Sequence, residues 1–263
     1  MKLFDLAFAC RIYQGDDKYE LMCEGLGSDP DLKPNPVSTS KQPVDCLLQF
    51  LNDWGCRIPK EHFPALKDCL LHWAAQWIIP TNGAPVPEAP EGRVHQLPEM
   101  SRDIRSLNKS ELLAIGEAYD ALLKSGGDLH FWDTATAKTL HAVRRNTLPM
   151  WDAQIRDWFV STRRELSAYS GGQIYSEFTR FVGEQISELE QETSHIGCSL
   201  GDVPQLVGRH GASLVKLVDE YHWITITEGH VPPKREELER WLYWINTPMQ
   251  SSGVSDKSRP TVA

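Results

Sequence analysis

Apolar residues return every three or four positions along nearly the whole chain. Only Trp223-Ile224-Thr225-Ile226-Thr227 alternates with the two-residue period of a strand. That pattern restricts the chain to helix packed on helix. Val44, Leu47, Leu48, Phe50, Leu51 and Trp54 form a stripe that Gly55 ends, which predicts a helix over 44–55. Another is expected from Pro59 to about Ile79. Asn108 and Glu111 have the spacing of a capping box, with a helical face following from Leu112 to Leu123 and a stop at Gly126-Gly127. Further helices are predicted over 136–147, from Asp152 to a stop at Gly171-Gly172, over 173–194, briefly within Asp202–Gly211, and over 212–223 and 234–246. The segments Gly27–Pro43 and Pro80–Pro98 are rich in turn-forming residues and read as connections. The expected fold is all-α, with two packed helical lobes and a cleft between them. Residues 1–249 would form one domain, with lobe limits at 1–100 and 101–249, and 250–263 a loose tail.

Composition excludes several classes. The longest apolar run, Leu70–Ile79, is interrupted by polar residues and too short to span a bilayer. Asp5 interrupts the first apolar run, so no secretory signal is expected and a cytoplasmic protein is. The six cysteines include no C-x-x-C pair and imply neither a disulfide framework nor a metal site, and no cofactor motif is present. A net charge of −9 argues against a surface that grips nucleic acid everywhere. Basic residues nevertheless gather around one segment, as Lys138, Arg144, Arg145, Arg156, Arg163 and Arg164.

That segment carries the chemistry. In Lys138-Thr139-Leu140-His141 a lysine opens a predicted helix, and Pro149-Met150-Trp151-Asp152-Ala153-Gln154-Ile155 is a proline turn followed by an aspartate at the start of the next helix. An amine and a carboxylate on two such helices can face one cleft. Asp152 is equally suited to a plain N-cap role, and a lysine within a helix is ordinarily a solvated surface group. The segment resembles the active-site region of helix-hairpin-helix DNA glycosylases, in particular the 8-oxoguanine glycosylase-like group, over about residues 130–160. It also resembles divergent bacterial glycosylase-like proteins linked to antiphage systems. The glycine hairpin that precedes the lysine in that group is absent from Asp133-Thr134-Ala135-Thr136-Ala137, and the lysine-to-aspartate spacing is 14.

The resemblance implies a DNA glycosylase, an N-glycosidic bond hydrolase with AP lyase activity where the lysine attacks. DNA is its partner, the substrate being a damaged or modified base of the host or a phage. Lys138 would be the Schiff-base nucleophile, and Asp152 would stabilise the sugar cation. An extruded base needs an aromatic pocket, for which Phe131, Trp132, His141, Trp151, Tyr221 and Trp223 are the candidates. Arg144, Arg145, Gln154 and Arg156 are the candidates for contact with DNA. Asp219-Glu220-Tyr221-His222-Trp223 could supply a base-reading carboxylate, though a helix-end surface cluster is the simpler reading. The competing expectation is a noncatalytic helical module that binds DNA or protein, with Lys138 and Asp152 diverging in space.

Overall fold

The computed structural model of the chain describes residues 1–13, 17–27, 32, 42–78 and 96–233. Met1–His230 forms one compact unit and Val231–Ala263 a second. Among the described residues every regular element is helical and no strand occurs, so the protein is all-α. The helices are α1 Leu3–Tyr13, α2 Asp17–Leu26, α3 Pro43–Asp53, α4 Phe63–Trp77 and α5 Lys109–Gly126. Then follow α6 Asp133–Val143, α7 Ala153–Ser161, α8 Gly171–His195, the short α9 Val203–Leu206, and α10 Leu214–His222. No described helix is long and apolar enough to cross a membrane. The predicted helix over 234–246, the tail over 250–263 and most of both predicted connections lie outside the described residues.

The centre of the unit is the crossing of α5 and α8. The Asn108 side chain accepts from the Ser110 and Glu111 amides, and Glu111 reaches back to the Asn108 amide at 2.8 Å, so α5 begins on a complete capping box. Ser170 and Gln173 do the same for α8. Along α8, Tyr175, Phe178, Val182, Ile186 and Leu189 are buried at helical spacing. Where the helices meet, a Cβ on Gly172 would lie 2.1 Å from the Gly116 carbonyl oxygen. Only glycine permits that approach. The backbones therefore come close enough for Tyr119 of α5 to stack on Tyr175 of α8, with ring centroids 4.8 Å apart.

Three boundaries differ from the sequence expectation. Gly171-Gly172 starts α8 instead of stopping α7, because Ser170 caps the helix and the close crossing selects glycine in its first turn. Helix α6 starts at Asp133, so Lys138 sits in mid-helix, and Arg144, at φ −141, ends it before the predicted 147. Trp223–Thr227 is a π-helical turn continuing α10, with the Thr225 hydroxyl donating to the Tyr221 carbonyl at 2.7 Å. Its β-branched residues serve a helical wall.

Candidate active site

Lys138 and Asp152 line the same cavity, which has a volume of about 320 Å³. Its other walls are Tyr13 at the end of α1, Asp53 and Trp54 at the end of α3, Met150 and Trp151 before α7, Ile155 within it, Asp219 on α10 and Trp223 just beyond. Four aromatic side chains, three aspartates and one lysine thus share one hollow. Its charged groups sum to a negative value when all are ionised, so its interior suits a cation or a hydrogen-bond donor better than a phosphate.

Both of these charged side chains are held. Lys138 is buried, donates from Nζ to the Trp54 carbonyl oxygen at 2.6 Å, and lies 5.5 Å from the Trp54 ring centroid. Asp152 is the N-cap of α7, as its position after Pro149 predicts. Its Oδ1 accepts from the Ile155 amide at 2.8 Å, and its Oδ2 accepts from the Thr227 hydroxyl at 2.7 Å. Capping and cavity lining are compatible, since the carboxylate is only half-buried.

The turn between the helices is stitched down at each step. Arg144 Nε donates to the Pro98 carbonyl at 2.6 Å, and the Thr147 hydroxyl donates to the Arg102 carbonyl at 2.7 Å. His141 Nδ1 bonds the Leu148 carbonyl at 2.7 Å, and the Tyr175 hydroxyl donates to the Pro149 carbonyl at 2.7 Å.

Of the aromatic candidates, Trp151 and Trp223 line the cavity and the others do not. Phe131 is fully buried against Gly126, where it fills the core beneath the end of α5. Trp132 is 59% exposed and meets His130 edge-on, so it faces solvent. His141 is fully buried, with Nε2 bonded to the Tyr19 hydroxyl at 2.8 Å; burial pushes its pKa down to about 3 and keeps the ring neutral. Tyr221 is half-buried outside the cavity lining.

The four DNA-contact candidates sit in different surroundings. Arg144 is buried and donates its guanidinium hydrogens to the Pro98 and Val143 carbonyls, because a helix end in the core needs internal donors. Arg145 donates to the Gly27 carbonyl at 2.9 Å. Arg156 pairs with Asp133 at 2.7 Å and Asp157 at 3.0 Å, which ties α7 to the start of α6. Gln154 is exposed.

The cavity residues that sequence reasoning did not put forward are Tyr13, Asp53, Trp54, Met150 and Ile155, while Asp219 entered only as part of the 219–223 cluster, read more simply as a surface helix end. Asp219 and Trp223 stand four apart, on one face of a helix running into the π-turn, and that spacing was a usable signal. Tyr13 and Trp54 come from distant helices and carried none. Asp219 is buried, not part of a surface cluster, and Lys216 Nζ donates to its Oδ2 at 3.0 Å. Burial raises the Asp219 carboxyl above its ordinary value, while Lys216 and then Lys138 pull it down and Asp152 adds to the rise. Among the described residues, no group of His, Cys, Asp or Glu is arranged to hold a metal ion. No family model matches this chain, and no curated protein and no solved structure is significantly similar to it.

Proposed function

We propose that this chain is a DNA glycosylase, which removes a damaged or modified base after drawing it out of the helix into the Lys138–Asp152 cavity. One observation carries the reading. The amine and the carboxylate singled out from sequence line one hollow of about 320 Å³ together with Tyr13, Trp54, Trp151 and Trp223. That volume falls at the small end of the ~300–1,000 Å³ usual for ligand pockets. Aromatic walls stack on a base that has left the duplex, and a carboxylate beside C1′ stabilises the positive charge that develops as the glycosidic bond breaks.

Two routes share this geometry. In the first, Asp152 stabilises the sugar cation while water attacks C1′. In the second, the Lys138 amine bonds to C1′ as the base leaves with the glycosidic electron pair and takes up a proton; sugar-ring opening then gives a Schiff base. The second route requires the amine to leave the Trp54 carbonyl and shed its own proton. Purified protein is expected to release free base from DNA bearing the correct lesion or modification, and Asp152→Asn to lower that rate at least ~100-fold. Borohydride separates the routes, because only a Schiff base is trapped as a covalent protein–DNA adduct. A panel of damaged and phage-modified DNAs that yields no free base from wild-type protein removes the proposal.

A noncatalytic DNA- or protein-binding module is the second reading. It is favoured by the internal ties of Lys138 and Asp152, each of which already has a structural partner. It predicts DNA binding without base release, and binding that survives Asp152→Asn.

A further inference from the structure

Beneath the cavity lies a lysine that the proposed reaction does not use. Lys216 is 1% exposed, yet its ammonium sits 4.7 Å from the Tyr13 ring centroid and 4.8 Å from those of Tyr19 and Trp54. It bonds Asp219 at 3.0 Å and approaches Glu220 at 3.9 Å. Glu220 in turn binds Arg209 through both oxygens, at 2.6 and 3.1 Å. Two cations and two anions are thus sealed together, balanced in charge. Burial alone would lower the Lys216 pKa, but Asp219, Tyr13 and Glu220 outweigh it and hold the group charged. A buried ammonium ringed by three aromatic faces and salt-bridged to a carboxylate is a fixed cation. Three of its partners, Tyr13, Trp54 and Asp219, also line the cavity.

We infer that Lys216 is a positioning residue for the cavity: from below the floor it fixes Tyr13 and Trp54 and keeps Asp219 an anion facing the occupant. Asp219 is thereby a second carboxylate beside Asp152, held without moving side chains. The groups facing Asp219 are Lys216 and Glu220 on its own helix, Lys138 from α6, Asp152 ahead of α7, Tyr13 from α1, Tyr19 from α2 and Tyr175 from α8. Lys216 is the nearest cation among them, so its loss should dominate any change at Asp219. The inference rests on the excision reading only in its kinetic consequence.

The test follows the Asp219 carboxyl resonance by carbon-13 NMR, assigned with Asp219→Asn. In Lys216→Met its titration midpoint is expected to rise by ~1–3 pH units. In Lys216→Arg it stays near the wild-type value. If base release has been found, Lys216→Met loses at least ~10-fold in kcat with a smaller change in KM, and Lys216→Arg restores most of it. A folded Lys216→Met whose Asp219 midpoint does not move overturns the inference. Should Lys216→Met fail to fold, the wild-type protein decides: the Lys216 ammonium resonance is expected to shift at the acid midpoint of the Asp219 carboxyl bonded to it, and an ammonium resonance that does not respond as Asp219 takes up its proton overturns the inference. Wild-type protein that releases no base defeats the excision reading while the titration still settles the role of Lys216.

Discussion

His222 is a buried imidazole, neither of whose ring nitrogens has a hydrogen-bond partner among the described residues. It lies parallel to Phe181, with centroids 6.0 Å apart, among Phe178, Trp158 and Tyr221. Burial lowers its pKa from 6.5 to about 3, and His141 behaves alike. The sign of the pH effect follows from proton counts. Between about pH 6.5 and about pH 3 the unfolded chain binds protons at these rings that the folded chain refuses, so stability falls as pH falls. Each ring contributes up to about 1.4 kcal/mol per pH unit within that window. His222→Phe is expected to reduce the slope of unfolding free energy with pH by roughly that amount. Urea melts at about pH 6.5 and about pH 5 measure it, and an unchanged slope would mean that His222 is protonated or solvated in the fold.

Among the elements, the α5–α8 crossing is the most demanding contact. A Cβ on Gly172 would meet the Gly116 carbonyl at 2.1 Å and the Asp120 carboxylate at 2.7 Å, so backbone must move. Gly172→Ala is expected to destabilise the protein by about 1–3 kcal/mol in urea melts. Gly127→Ala has open space and φ −57, and should be neutral or stabilise by up to about 1 kcal/mol. Similar melts for both variants would show that the crossing does not need glycine. The same glycine marks the limit of reading elements from sequence. Asn108, Glu111 and Asp152 were legible because a cap is settled among neighbouring residues. Gly171-Gly172 was misread as a stop because its reason, the backbone of Gly116, lies far away along the chain. Trp223–Thr227 misled for a related cause: β-branched residues alternate in a strand but also suit a helical turn half-packed against α1 and α7.

At the scale of the whole molecule, charge decides which cations remain for a partner. The net charge is −9, and Arg144, Arg145 and Arg156 are all tied to acceptors within the protein. Arg144→Gln is therefore expected to lower the melting temperature while leaving the slope of log binding constant against log salt unchanged. Removing a side chain that truly grips a phosphate would flatten that slope by roughly 0.9, and such a flattening in Arg144→Gln would restore Arg144 to the DNA surface. Sequence alone pointed to Lys138, Trp151 and Asp152 because they sit in one continuous motif, and to Trp223 through the separate 219–223 cluster. It missed Tyr13 and Trp54 because tertiary packing brings them in, and it could not see the carbonyl partners of Arg144 and Arg145. The 144–152 turn has a consequence of its own. Pinned through Pro98, Arg102, His141, Tyr175 and Thr227, it sets the gap between amine and carboxylate like a locked caliper. Under the proposed base-excision reading, a guest one ring wider is expected to be turned away at the rim, since widening the jaws means melting the hinge.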